Sequence, residues 1–301
     1  MSSTSGGLKA VLYALVANVG IAVAKGFAAA YTGSSALFAE AIHSLADCTN
    51  QVLLLVGMRQ AERPETEDHP MGHGRVVYFW SMLVAVLLFG LGGVVSVLHG
   101  YESLADIHPP SHLGVSMAVL AAAVGLESFS LNGALQGMKA ERGQLSLWAW
   151  FKQTRQPELM VVAGEDIAAL AGLLVALAAL GLTAWTGDAR FDAYGSIAVG
   201  LLLIVISVVL LSEMKGLVTG ESASPERRRA IEAFVAAQPE VEHVFRIITL
   251  QFGSDLMVAV KAKMAPCDSA EAMVDAINAV EERMQQSFSD ARWVFFEPDV
   301  R

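Results

Sequence analysis

Residues 37–57 read LFAEAIHSLADCTNQVLLLVG, an apolar run broken by Glu40, His43, Asp47 and Asn50. These four recur at intervals of three, four and three residues, so on an α-helix they share one narrow stripe. At about 1.5 Å per residue, a helix of this length covers a hydrocarbon core of roughly 30 Å. A carboxylate at mid-bilayer costs roughly 2.5–3.5 kcal/mol on insertion scales and is kept mainly where it faces a cavity or a partner. A structural hydrogen-bond network between helices is one account of such a seam. The imidazole and carboxylate one turn apart, His43 and Asp47, favour the other, a cation site. Further along, residues 161–182 read VVAGEDIAALAGLLVALAALGL, a second apolar helix carrying adjacent acids, Glu165 and Asp166. Two helices can then pinch one ion between them.

Composition agrees with burial in lipid. Hydrophobic residues make up 54% of the chain and charged residues 17%, with a mean hydropathy of +0.50, well above ordinary soluble domains. Apolar runs long enough to cross a bilayer fall at about Leu8–Tyr31, Ser35–Gly57, Val76–Tyr101, Leu113–Gly137, Met160–Trp185 and Ala193–Leu211, which predicts six transmembrane helices. Arg59, Arg63 and Arg75 flank one loop, and Lys139, Arg142, Lys152 and Arg155 another, whereas the opposite side offers only Arg190. The positive-inside rule then puts both termini in the cytoplasm. Lys25, near the outer end of the first run, is expected to snorkel toward the interface.

The net charge of −10 argues against a nucleic-acid partner. Cys48 and Cys267 lack the spacing of a disulfide framework or zinc finger, and Cys48 reads as a small core residue. MSSTSGGLKA runs directly into the first apolar stretch, and no cleavable signal stands out. No HExxH pair occurs, and no nucleophile is patterned near His43, so the chain is not expected to be an enzyme.

After Leu211 the chain turns polar, and no later segment is apolar enough to span. Pro225 opens an amphipathic helix. VEHVFRIITLQF and LMVAVKAKM flank Gly253-Ser254-Asp255 as a hairpin, Asp268 with Glu271 has the spacing of a capping box before a second helix, and WVFFEP supplies a third strand. The expected fold is thus an α-helical membrane protein, six spans over residues 1–217, followed by a small cytoplasmic α+β (α-β-β-α-β) domain over 218–301. The linker KAERGQLSLWAWFKQTRQPEL, with Trp148, Trp150 and Phe151 among basic residues, suits the cytoplasmic membrane interface.

His43-Ser44-Leu45-Ala46-Asp47 in the second span, HPMGHGR (69–75) before the third, and Glu165-Asp166 in the fifth resemble the cation diffusion facilitator family. Residues 44–51 and the long linker look most like its branch containing the vertebrate mitochondrial zinc exporter and bacterial relatives. The resemblance implies a homodimeric divalent-metal exporter of six spans, working by alternating access in exchange for protons. A bacterial cytoplasmic membrane is the implied location. His43, Asp47 and Asp166 are the implied metal ligands, and no resident cofactor is implied. Imidazole with carboxylates suits zinc first, and also manganese, iron(II) or cobalt. A free imidazole, with a pKa of about 6.5, lets one site take metal or proton. A non-transporting sensor or scaffold on the same fold is the alternative.

The departures from the family pattern are specific. Val162 stands where zinc exporters carry a second histidine, so Glu165 or water is the candidate to complete the site; Glu165, which alternatively serves as a proton carrier, ranks below the other three, since adjacent helical residues diverge by about 100°. His69 and His73 resemble a peripheral loop metal site, although Thr66 replaces an acid there. His99, His108 and His112 read as interfacial, and Glu127 and Asn132 as supports for packing or the ion route. In the tail, where many relatives hold two metals, His243 retains one ligand, Lys261, Met273 and Phe295 replace the others, and Glu297 replaces an aspartate.

Overall fold

The computed structural model describes residues 19–107 and 112–300, apart from side chains at a few helical positions. The chain forms two compact units. One comprises the chain up to Met58 with Phe79–Ser146 and Glu158–Met214; the other comprises Arg59–Tyr78, Leu147–Pro157 and Lys215–Arg301.

The first unit is helical. Its helices are α1 (Val19–Thr32), α2 (Ser35–Ala61), α3 (Val76–Val84), α4 (Gly92–Ala105), α5 (Leu113–Arg142), α7 (Pro157–Thr186) and α8 (Arg190–Thr219). Among the described residues, three stretches are long and apolar enough to cross a membrane by length and composition: Val76–Ala105, Leu159–Thr186 and Arg190–Thr219. The described parts of α1 and α5 contribute shorter apolar helices, Val19–Thr32 and Leu113–Phe129. Much of the predicted first run, the N-terminal segment and His108 lie outside the described residues. The last helix runs on through Gly216 to Thr219 rather than ending near Leu211, and stops at Gly220, which takes a positive φ of 111°.

Helix α2 is the hub of this unit. Its N-terminus is capped from α8: buried Asp192 accepts hydrogen bonds from Ser34 Oγ at 2.7 Å, Ser35 N at 2.6 Å and Ala36 N at 3.2 Å. A carboxylate there satisfies orphan amides and opposes the helix dipole. Beside it, the Ser35 and Ser103 hydroxyls lie 2.6 Å apart, joining α2 to α4, and Phe38 packs on His99 with ring centroids 4.1 Å apart. Exposed Leu45 and Val52 mark the opposite, outward face.

Between α3 and α4 the chain adopts a π-helical turn, Ala85–Leu91, that the hydrophobic pattern does not foretell. Ser207 Oγ donates to the Ala85 carbonyl at its start, at 2.7 Å. From there α4 and α8 approach closely along small residues. A methyl on Gly93 would meet the Gly200 carbonyl at 2.7 Å, one on Gly100 would meet the Ala193 carbonyl at 2.8 Å, and Ser196 Oγ donates to the Ser96 carbonyl at 2.8 Å.

The second unit contains the tail: α9 (Pro225–Ala236), β1 (Val241–Phe252), β2 (Asp255–Met264), α10 (Ala270–Ser287) and β3 (Ala291–Pro298). The α-β-β-α-β order matches the sequence pattern. Strand order is β1-β2-β3, with β1 and β2 antiparallel and β2 and β3 parallel. Alternate β2 residues Leu256, Val258, Val260 and Ala262 are buried against Ile231 and Val235 of α9 and Val280 and Met284 of α10. One cap differs from expectation: Ser269, not Asp268, caps α10, its hydroxyl accepting from Ala272 N at 3.1 Å. Serine there fills the same role one residue later.

Two connecting segments belong to this unit. In the loop 59–78, Arg75 donates to the carbonyls of Leu217 and Val218 and lies over the Phe252 ring at 5.1 Å. The Tyr78 hydroxyl accepts from Gly253 N at 2.7 Å at the hairpin tip. In the linker, the short helix α6 (Leu147–Gln153) is followed by Arg155, which pairs with Glu221 at 2.9 Å and donates to the Ser222 carbonyl, also at 2.9 Å. Exposed Trp148 stacks on Phe151 in α6.

Candidate functional site

All four members of the polar stripe on α2 are buried: Glu40 and His43 at 0% and 1% exposed, Asp47 at 7%, Asn50 at 1%. The 3.6-residue period that aligns them also turns them together toward neighbouring helices. His43 Nδ1 lies 3.7 Å from Asp47 Oδ1. Imidazole nitrogen and carboxylate oxygen are donor types that ligate divalent cations.

Helix α7 approaches this stripe through Glu165. Asn50 Nδ2 donates to Glu165 Oε2, and the carboxylates of Glu165 and Asp47 interact electrostatically. Asp166 is half-buried, on the flank of the same helix; it interacts with Glu165 and with Glu127 of α5. Glu127 also acts on Asp47, so acidic groups of α2, α5 and α7 contribute to one electronegative region. Among the described residues, no three His, Cys, Asp or Glu side chains converge closely enough to form a metal-binding group. His43 and Asp47 are therefore together, with Glu165 facing them through Asn50 and Asp166 beside Glu165.

The upper end of the stripe holds a partner that differs from expectation. Lys25 does not snorkel; it is buried at 1% exposed. Its ammonium donates to Ser44 Oγ at 2.8 Å and to Glu40 Oε2 at 3.4 Å. The ammonium exchanges water for a hydroxyl and a carboxylate on α2, which lessens the cost of leaving solvent without cancelling it. Position along the first apolar run alone does not show this. The pairing is legible only once α1 and α2 are set side by side.

The remaining candidates fall elsewhere. Within the second unit, His69 and His73 stack with ring centroids 4.4 Å apart. They line a cavity of about 300 Å³ with Pro70, Met71, Arg75 and Phe252. His99 and His112 make aromatic contacts, on Phe38 and Tyr31 respectively. Cys48 is a buried free thiol. In the tail, Lys261 pairs with Asp299 at 2.5 Å and Glu297 at 3.4 Å, and His243 packs edge-on against Phe245.

Residues 11–215 match the family model of the cation efflux transmembrane domain. The mitochondrial proton-coupled zinc antiporter of Xenopus laevis is 33% identical over 225 residues, 74% of this chain and 40% of that protein. Metal tolerance protein C4 of Arabidopsis thaliana is 29% identical over 216 residues, 71% of this chain and 47% of that protein. The manganese efflux system protein MneP of Bacillus subtilis is 25% identical over 291 residues, 95% of this chain and 93% of that protein. The chain thus spans well under two thirds of the length of the first two relatives and nearly all of the third.

Proposed function

The chain belongs to the cation efflux family, and from that premise we propose that it exports a divalent metal cation across a membrane by alternating access, in exchange for protons. The observation that carries this is the buried His43–Asp47 pair on α2 with Glu165 facing it from α7. Buried ionisable groups within apolar helices are costly and mark ion pathways. In this reading six helices cross the bilayer, α1, α2 and α5 among them, and both termini face the cytoplasm. Two protomers associate, and each carries its own pathway.

In this reading His43 and Asp47 take the metal and Glu165, which faces them from α7, closes on it as the helices rock, with Asp166 as the further candidate carboxylate. Each must be deprotonated to bind a cation, so protons arriving from the far side displace it without further machinery. Zinc is the first candidate, since imidazole with carboxylates suits it and several relatives are zinc antiporters by name. Manganese is the second. Val162 removes a nitrogen ligand, an oxygen-richer site suits a harder cation, and the Bacillus subtilis relative is a manganese efflux protein.

Sealed vesicles containing the purified protein, loaded with metal-sensitive and pH-sensitive dyes, test the proposal. Zinc, manganese, iron(II) and cobalt are offered side by side. Metal movement with an opposing pH change is expected. Metal flux indifferent to a collapsed pH gradient overturns the exchange, and no flux of any metal leaves the fold as a sensor or scaffold.

A further inference from the structure

The polar stripe of α2 begins at a cation that the metal pathway does not require. On α1, Val19, Val23, Phe27 and Tyr31 are exposed along one face, and Lys25, Ala29 and Thr32 are buried along the other. Lys25 therefore points into the unit, where its ammonium meets Ser44 and Glu40. Ser44 adjoins His43, and Glu40 lies one turn before it. The charge of Lys25 also acts on Asp47.

Stability does not account for this pair. Burying both ions costs several kcal/mol each, and the mutual attraction repays that only when every remaining polar atom is satisfied. Glu40 Oε1 has no hydrogen-bond partner among the described residues. It points at α7, where a methyl on Gly172 would lie 2.6 Å from it. A fully buried carboxylate oxygen thus stands unfilled beside the stripe that holds His43 and Asp47. Apolar residues of similar size would pack as well at lower cost.

We infer that Lys25 is a tethered internal cation that limits the affinity of the transport site. By engaging Glu40 it keeps that carboxylate out of the ligand set, and it places a positive charge beside the incoming metal. The number of anionic ligands is a main determinant of affinity for divalent cations. A pathway must also bind weakly enough to release its ion. Lys25 is then a positioning residue that acts through Glu40, and the inference rests on the transport function proposed above.

The test compares the full-length wild type with Lys25→Met, Glu40→Gln and the double variant. Zinc and manganese dissociation constants are measured by dye competition in detergent, and KM and maximal flux in sealed vesicles. Lys25→Met frees Glu40 and removes the repelling charge, so Kd and KM should fall about tenfold or more, the equivalent of roughly 1.4 kcal/mol, while maximal flux falls because release slows. Glu40→Gln leaves the ammonium unopposed and should raise Kd by about tenfold. The double variant removes one charge of each sign, leaving the net charge beside the site as in the wild type, and should return to within about threefold of it.

Loss of packing moves both single variants in the same direction, and that result overturns the inference, as does an unchanged Kd in both. If Lys25→Met does not fold, near-isosteric Glu40→Gln decides alone, and a Kd at or below wild type overturns it. Wild-type protein that binds metal but moves none defeats the transport proposal while the dye titration still reads the charge effect. Wild-type protein that binds no metal overturns both.

Discussion

At the residue scale, each member of the α2 stripe is distinguished by what removing it exposes. On the proposed reading His43→Ala and Asp47→Ala each delete a metal ligand, so transport should fall by about a hundredfold or more, beyond the range typical of outer-shell partners. The dimensions of the purified protein on gel filtration should not change. Wild-type flux in Asp47→Ala would instead favour a structural seam. The two acids of α7 separate by geometry. Glu165 is buried and bonded to Asn50 of α2, whereas Asp166 is half-buried on the helix flank. Glu165→Gln should therefore cost more flux than Asp166→Asn, measured in parallel in vesicles. The reverse order would return the site to the ligand set that the family pattern implies, His43, Asp47 and Asp166. The sequence shows the stripe because periodicity along one helix is local. Which of two adjacent acids faces another helix depends on how α7 is rotated, which no single-helix pattern encodes.

At the element scale, α4 and α8 meet where glycine leaves no side chain between two backbones. A methyl on Gly200 would lie 2.6 Å from the Gly93 carbonyl and 2.8 Å from Val97 N. Gly200→Val should lower stability by about 1–3 kcal/mol, the usual range for overpacking, read as an earlier melting transition in detergent. Gly181, which has open space around its α-carbon, should accept alanine without loss. In the tail, Arg283 donates to Glu240 at 2.6 Å and to Gln238 at 2.9 Å, clasping α10 to the α9–β1 turn. The Arg283 hydrogen bond holds the Glu240 carboxyl below its ordinary range. A carboxylate depressed in the folded state stabilises above its unfolded pKa, and that contribution disappears as pH falls through the folded value. Arg283→Met should thus lower the tail's melting temperature at neutral pH, with the difference from wild type shrinking below about pH 4, near the ordinary carboxylate range. Most of the tail's fold was legible in the sequence, because alternation and helical period are strong, short-range signals. The π-turn at Ala85–Leu91 was not, since it answers to Ser207 of another helix.

At the scale of the whole molecule, the tail's charge arrangement is unlike a metal site. The strands place Lys261 opposite Glu297, and its ammonium pairs with both Glu297 and Asp299. Those carboxylates hold Lys261 charged, the Asp299 hydrogen bond raising its pKa above the ordinary value. A cation approaching Glu297 must displace an ammonium already bound to it, and the nearby aromatic Phe295 offers no donor atom. His243, packed edge-on against Phe245, is left without the second imidazole that a zinc site needs. The tail should therefore act as a constitutive dimer clamp, joining protomers through apolar surface rather than through metal. Exposed Phe245, Ile248 and Phe295 supply such surface on the sheet. Isothermal calorimetry on the fragment from Ser222 to Arg301 should show no zinc binding tighter than micromolar, and sedimentation should give the same association state with and without a chelator. Submicromolar binding at two sites per chain, or dissociation on chelation, would show that metal does regulate the tail.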